Sequence, residues 1–157
     1  MQMQPKDSRG YFMLPQAPED AGYYVYGKLH GVPSKGASQY AHPSLMTAIL
    51  RVEREWRQID DRKFGVGDIS LAGGIDHPDH ESHEKGIEVD VRPVRKDGKH
   101  VPVTWGDDEY DLEATARLIG LFHAYTNAKV ILFNDLRIPF VVRAKHHDNH
   151  FHVTLWT

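Results

Sequence analysis

Apolar residues recur at the spacing of an amphipathic helix in two parts of the chain. Over about 43–59 they lie three or four positions apart, and charged residues occupy the other faces. The same spacing returns over 111–126. The apolar faces consist of Leu45, Ile49, Val52, Trp56 and Ile59 in the first segment and of Leu112, Ala116, Ile119, Phe122 and Tyr125 in the second. The pattern predicts two main helices.

Three other segments have the pattern of β-strands. Apolar and polar residues alternate in 86–93 and again in 150–156, which is typical of strands with one buried face. Residues 128–133 are β-branched or aromatic and predict a buried strand. The turn residues at 96–99 predict a hairpin whose second arm ends near Trp105.

The first 44 residues differ in composition from the rest of the chain. They are rich in Gly, Pro, Tyr and Ser, which predicts a loop-rich arm with short strand-like pieces such as 23–26. Neither an internal repeat nor a domain boundary is visible further along. We therefore expect a single domain over residues 1–157, with the arm 1–44 packed on it.

Composition limits the classes of function. The chain of 157 residues can build a hydrophobic core, because 40% of its residues are hydrophobic. Its 16 aromatic residues are 3 Trp, 7 Tyr and 6 Phe. The net charge of -3 gives no general electrostatic reason to bind nucleic acid, and no apolar run is long enough to insert into a membrane. Cysteine is absent, so any metal must be bound by His, Asp or Glu.

Histidine is the unusual residue of this sequence. There are 11 histidines, and seven of them form two clusters that lie far apart in the chain. These are His77, His80 and His83 in the first cluster and His146, His147, His150 and His152 in the second. A solvated strand face favours Lys, Glu and Thr, and a core does not favour so many imidazoles. The two clusters therefore predict a metal site.

The spacing of these residues suggests how such a site could form. His150 and His152 are two positions apart in a predicted strand, so both project from one face. Asp90 lies on the polar face of another strand, with His83 just before it. Glu88 shares the face of Asp90 and is interpreted either as an orienting carboxylate or as a solvated strand residue. Spacing alone does not choose the ligands among the seven histidines.

The helical zincin motif does not account for the first cluster. His83-Glu84 could begin that motif, which requires a second histidine three residues after the glutamate. Position 87 is Ile, and Gly86 disfavours a helix.

Two sequence motifs resemble those of the penicillin-insensitive murein endopeptidases, within the wider group of lysostaphin-type and D-Ala-D-Ala peptidases. The first is Ser82-His83-x-x-Gly86-x-x-x-Asp90, preceded by His80, and the second is His147-Asp-Asn-His150-Phe-His152-Val. The segment Gly67-Asp68-Ile69-Ser70 with the following Gly-Gly, and Phe133-Asn134-Asp135, are similar to further family segments. The similarity extends over about residues 10–157.

The resemblance implies an α+β fold in which a small antiparallel β-sheet carries a zinc site and is flanked by the two main helices. It implies that one Zn²⁺ per chain is bound by His83, Asp90 and His152. It further implies that His150 is a catalytic histidine and that His80 and His147 are additional active-site histidines. The domain would be a zinc metallopeptidase that hydrolyses the peptide cross-links of peptidoglycan, with the peptide stems as its substrate.

Several alternatives stay open at this point. The general base is not assigned among His150, His147 and His80. A D-Ala-D-Ala carboxypeptidase or dipeptidase, and a non-catalytic zinc-containing binding module, are alternatives to the endopeptidase. The remaining histidines, at positions 30, 42, 100 and 123, are expected to lie outside the site.

The expected place of action is the periplasm or cell wall. The first ten residues lack the apolar middle of a signal peptide. We therefore expect delivery by lysis, as for a phage endolysin, or by a dedicated secretion system, as for an injected effector, unless a leader has been removed. An inhibitory or immunity protein is an expected partner in the effector case.

Overall fold

The computed structural model describes residues 6–16 and 19–156. Its helices are α1 (Pro43–Arg57) and α2 (Leu112–Tyr125), as the sequence predicts. Its strands, in chain order, are β1 (Phe12–Met13), β2 (Tyr23–Val25), β3 (Lys28–Leu29), β4 (Val32–Pro33), β5 (Tyr40–Ala41), β6 (Phe64–Val66), β7 (Glu88–Val91), β8 (Ala128–Leu132), β9 (Val141–Val142) and β10 (Phe151–Leu155).

The main sheet of the described residues has six strands in the order β2-β6-β7-β10-β8-β9. The four central strands pair in antiparallel fashion, whereas β2 is parallel to β6 and β9 is parallel to β8. The fold is therefore α+β as expected, but the sheet is mixed rather than purely antiparallel. Strands β1 and β5 form a separate ribbon, and β3 and β4 form a hairpin.

The two helices cover one face of the sheet. Helix α1 packs on α2, and α2 packs on β8. Because strand side chains alternate, β7 and β10 direct their apolar residues into this core and their polar residues to the opposite face. The apolar residues of these two strands are Val89, Val91, Phe151, Val153 and Leu155, all of them buried. The polar face is the one on which the site lies.

The buried faces of the helices differ in part from the predicted ones. Ile59 lies beyond the end of α1 and is 50% exposed, and Tyr125 in the last turn of α2 is 43% exposed. Thr115 is buried instead, because its hydroxyl accepts the backbone N–H of Val94 at 3.0 Å. At the start of α2, the carboxylate of Asp111 accepts the N–H of Ala114, as an N-cap does.

The hairpin predicted around residues 96–99 is wrong. The turn exists, with Gly98 at a φ of 69°, but the chain after it forms a loop rather than a second strand. A tight hairpin over 96–99 would pair Arg95 with His100, but Arg95 pairs with Tyr110 in an isolated bridge, so the loop closes ten residues later. The guanidinium of Arg95 also binds Asp97 and the carbonyl of Pro102, which holds the loop against the turn.

The N-terminal arm contributes directly to the architecture. Strand β2 belongs to the main sheet, although the sequence favours a peripheral arm. Neither helix of the described residues combines the length and apolar character needed to cross a lipid bilayer.

A second contact of the arm fixes the His-rich loop that precedes β7. The guanidinium of Arg9 donates to the carbonyl of Glu84 at 2.7 Å and to that of Leu71 at 3.0 Å, one at each end of the loop. The same group forms an ion pair with Asp7 at 2.7 Å, and the Asp7 carboxylate is almost completely buried. Arg9 therefore ties the arm to both ends of the loop.

We expect Arg9→Ala to destabilise the protein by about 1–3 kcal/mol, because it leaves the buried Asp7 carboxylate without its charged partner. Urea denaturation of the two proteins measures this difference. Arg51→Ala, which removes an exposed pair with Glu55 on α1, is the control and should cost less than about 1 kcal/mol. Equal effects of the two substitutions would contradict the clamping role of Arg9.

Candidate metal centre

The centre of the site is a pair of residues on adjacent strands. In the register of β7 and β10, Asp90 lies directly opposite His152. Residues opposite each other project from the same face, so the imidazole and the carboxylate meet, with His152 Nδ1 at 2.9 Å from Asp90 Oδ1. Both residues are buried.

His83 approaches the same carboxylate from the loop before β7. Its Nε2 is 3.3 Å from Asp90 Oδ2. Its Nδ1 is 3.0 Å from the carbonyl oxygen of Ile69, which can only accept a hydrogen bond. Nδ1 therefore carries a proton. Nε2 faces Asp90: it donates to the carboxylate when the ring is protonated, and it presents its lone pair when the ring is neutral, as in a metal-binding histidine.

The backbone of His83 is in the left-handed region, with a φ of 67°. A non-glycine residue adopts this conformation at a cost and keeps it only where its surroundings fix it. Here the N–H of His83 donates to Glu88 Oε2 at 3.0 Å, and the ring is held by Ile69. Gly86, at a φ of 70°, makes the second left-handed turn, which brings the chain into β7.

The charges of the central group depend on one another. Burial alone would raise the pKa of Asp90, but the hydrogen bonds with His152 and His83 hold it well below its usual range. Burial likewise opposes the charged form of His83, but the carboxylate of Asp90 outweighs this effect and raises the pKa of His83. The buried carboxylate is thus ionised and requires a positive partner, which a proton on His83 or a bound cation can supply.

Glu88 is the second carboxylate of this face. Its Oε2 is 3.7 Å from His152 Nε2, in addition to accepting the N–H of His83. Its side chain therefore contacts two of the predicted ligands, which favours the orienting interpretation over that of a solvated strand residue. The ligand atoms of His83, Glu88 and His152 lie within 4.8 Å of one another, as do those of the group His80, His83 and Asp90.

The histidines of the C-terminal segment lie at the edge of this centre. His150 Nε2 is 3.8 Å from Asp90 Oδ1, and its Nδ1 contacts the side-chain oxygen of Asn149 at 2.8 Å. The ring of His147 is 4.8 Å from that of His150 and 5.9 Å from that of His152. Burial lowers the pKa of His150, so its imidazole is largely neutral near pH 7.

His80 is paired with a carboxylate that the sequence alone does not assign to it. Its Nε2 is 2.6 Å from Asp68 Oδ2, and its ring is 4.6 Å from that of His83. His77 is buried behind it, with Nε2 at 3.5 Å from the same oxygen. Asp68 and His77 thus support His80. Two sequence signals point to this arrangement: the spacing of three residues between successive histidines of the first cluster, and the family-like segment that contains Asp68.

The other histidines have local contacts away from this centre. His42 caps α1 by accepting the N–H of Ser44 at 3.0 Å. The ring of His100 stacks on Tyr24, and that of His123 stacks on Phe140. The remaining two members of this group are exposed at turns with positive φ values, namely His30 and His146.

Two cavities are lined by residues of this centre. The first, of about 340 Å³, is lined by residues that include His83, Glu88, Lys129 and Trp156. The second, of about 310 Å³, is lined by residues that include His80, Asp90 and His150. Residues of the centre thus line both cavities, so open space adjoins the centre at each of them.

The chain matches a known protein family. The family model of the penicillin-insensitive murein endopeptidases matches residues 27–110, which is more than half of the chain. The matched range contains His80, His83 and Asp90 and ends before the C-terminal histidines. It is also narrower than the similarity expected over residues 10–157. No curated protein matches the chain significantly.

The raised pKa of His83 predicts how the stability of the metal-stripped protein changes with pH. The contact with Asp90 contributes its full stabilisation below the ordinary pKa of 6.5 and loses it as the pH rises through the raised value. Each unit of pKa shift contributes about 1.4 kcal/mol.

Wild type should be more stable than His83→Gln at pH 6, and this difference in the free energy of unfolding should decrease as the pH rises to 9. Urea titrations in the presence of a chelator measure this difference, and taking it cancels the contributions of the other histidines. A difference that is constant or that grows with pH would contradict the assignment.

Proposed function

Since the chain belongs to the penicillin-insensitive murein endopeptidase family, we propose that it is a zinc-dependent endopeptidase that hydrolyses the peptide cross-links of the bacterial cell wall. The observation that carries the proposal is the convergence of His83 and His152 on the buried carboxylate of Asp90. Their two imidazole nitrogens and one carboxylate are a donor set typical of catalytic zinc.

In this proposal His83, Asp90 and His152 bind one Zn²⁺. The protonation of His83 at Nδ1 fits this role, because it leaves Nε2 available. When bound, zinc acidifies a water molecule and polarises the scissile carbonyl. Glu88 orients the two histidine ligands in this proposal, since it contacts both the N–H of His83 and the ring of His152.

We assign the role of general base to His150. Its Nδ1 donates to Asn149, so Nε2 carries the lone pair and points toward Asp90 at the centre. Its lowered pKa keeps the ring neutral near pH 7, which suits a group that accepts a proton from the attacking water.

His147 and His80 are the candidates for protonating the leaving amine. The Nδ1 of His147 donates to the carbonyl of Lys145 at 2.6 Å, which leaves its Nε2 directed away from that contact. His80 is oriented by Asp68 in a comparable way through Nε2. The ring of His80 lies next to that of His83, whereas the ring of His147 lies next to that of His150, so which of them acts depends on how the peptide binds.

The family implies peptidoglycan as the substrate and the cell wall as the place of action. Delivery by phage lysis or by a secretion system, and an immunity protein as a partner, stay predictions from the sequence. A D-Ala-D-Ala carboxypeptidase is the second candidate, but two separate cavities lined by residues of the centre favour a substrate longer than a terminal dipeptide.

Metal content is the first test of this proposal. We expect the purified protein to contain about one zinc ion per chain, because the proposal assigns His83, Asp90 and His152 to a single ion. His83→Ala and Asp90→Ala should reduce the zinc content to near zero, whereas His123→Ala, a control on the exposed side of α2, should retain it. Elemental analysis gives the ratio, and a wild-type protein that is active without metal would overturn the zinc assignment.

The role of His150 is tested by the products formed from purified cell walls. Wild type should convert cross-linked dimers into monomers, and His150→Ala should lower kcat/KM by about 100-fold or more while zinc stays bound. His146→Ala, an exposed histidine of the same loop, is the control and should retain activity.

Mass spectrometry of the products separates the alternatives. Release of D-Ala from monomers without loss of dimers would identify the carboxypeptidase instead. A zinc-loaded wild type that binds cell walls without releasing any product would identify the binding module.

A further inference from the structure

The second cavity beside Asp90 contains a buried arginine that the proposed mechanism does not use. Arg92 follows β7 and is only 8% exposed. It lines the cavity of about 310 Å³ together with Tyr26, Lys28, His80 and His150. A buried guanidinium is ordinarily paired with a carboxylate, because removing the charge from water is costly.

No carboxylate of the described residues lies within 4.0 Å of Arg92. Its guanidinium carbon lies 4.0 Å from the centroid of the Tyr26 ring and 5.9 Å from that of Tyr24. One nitrogen donates to the carbonyl of His100 at a long distance of 3.4 Å. These contacts hold the group in place but do not neutralise its charge.

Three carboxylates line this cavity, those of Asp68, Asp79 and Asp90; two of them are already engaged, and Asp79 forms no ion pair with Arg92. Asp90 lies two residues before Arg92 on the same strand face, but its oxygens face His83 and His152. Asp68 accepts from the N–H of Lys28 at 2.8 Å through one oxygen and contacts His80 through the other. The positive charge of Arg92 is therefore left to a ligand that enters the cavity.

The position of Arg92 is built into the sheet. Its backbone N–H donates to the carbonyl of Gly65 at 3.0 Å, which extends the pairing of β6 and β7 beyond the last strand residue. The ring of Tyr26 lies on Gly67, where a Cβ would come within 2.6 Å of the tyrosine Cζ. A glycine is thus required under the ring that supports the guanidinium. The Tyr26 hydroxyl is buried without a hydrogen-bond partner among the described residues, which leaves a further unsatisfied polar group beside the cavity.

We propose that this cavity is a subsite for a free carboxylate of the peptide substrate, with Arg92 as its anchor, an inference that rests on the proposed endopeptidase function. The Cα atoms of Asp90 and Arg92 are about 7 Å apart along the strand. This separation allows a peptide whose scissile amide lies at Asp90 to place a carboxylate of an adjacent residue at the guanidinium. A planar guanidinium forms two parallel hydrogen bonds with such a group, which a lysine cannot do.

The test uses three synthetic cross-linked peptides with the zinc-loaded protein. The first has all carboxylates free, the second has the carboxylate next to the scissile amide converted to a carboxamide, and the third has only the C-terminal carboxylate so converted. We expect wild type to lose about 10- to 100-fold in kcat/KM on one of the two amidated peptides, chiefly through KM. The peptide that is affected identifies which carboxylate binds.

Arg92→Gln should cleave all three peptides with the low kcat/KM that wild type shows on the affected amidated peptide. The difference in kcat/KM between the free and the amidated peptides should therefore disappear. Arg92→Lys keeps the positive charge and should retain part of the difference in kcat/KM between the peptides. Arg54→Gln, an exposed arginine of α1, is the control and should discriminate as wild type does. Thermal unfolding of each variant reports any loss of folding separately from these rates.

The outcomes separate the subsite from the enzyme activity. Equal rates of wild type on all three peptides would overturn the subsite and leave the endopeptidase function intact. Cleavage of none of them would overturn the endopeptidase function, on which the subsite depends. If Arg92→Gln lowered all three rates by the same factor, with the discrimination unchanged, Arg92 would be a structural residue and the inference would be wrong.

Discussion

The site depends on the register between β7 and β10, which places Asp90 opposite His152. The neighbouring pair, Val89 and Val153, then faces the helices and is completely buried. A shift of one residue would exchange the two faces, bringing the carboxylate into the core and the valines to the site. The apolar packing that stabilises the sheet therefore also determines which polar residues meet, so the core and the site are two results of one constraint.

The sequence predicts this part of the structure well because alternation has a fixed geometric meaning. Both helices and the faces of β7 and β10 follow from periodicity alone. The partners of a strand do not, which is why the mixed character of the sheet and the place of β2 in it could not be predicted. The failed hairpin has a similar cause: the turn at Gly98 is local, whereas the pairing of Arg95 with Tyr110 depends on contacts distant in the sequence.

The conformation of the site's loop residues could not be predicted from the sequence either. The resemblance to a family points to His83, but its left-handed backbone and its contacts with Ile69 and Glu88 are visible only in the structure. The clamp by Arg9 explains how a loop rich in polar residues keeps this strained conformation. A histidine loop held at both ends loses little conformational freedom when it binds a ligand, which favours binding. Preorganisation of the site thus begins in the N-terminal arm, far from the motif in sequence.

The polar face holds two buried groups of opposite charge close to each other in sequence. Asp90 is ionised in a buried position and requires a cation, whereas Arg92, two residues further along the same strand, requires an anion. Pairing them with each other would satisfy both charges, but Asp90 is held by the imidazoles of His83 and His152. Arg92 is supported by the ring of Tyr26 instead. Two opposite charges kept apart in this way cost folding free energy that a metal ion at one and a carboxylate at the other would recover on binding. A ligand that satisfies both at once must carry its anionic group at a fixed distance from the group presented to the metal centre, and this requirement would select a peptide by its shape as well as by its charge.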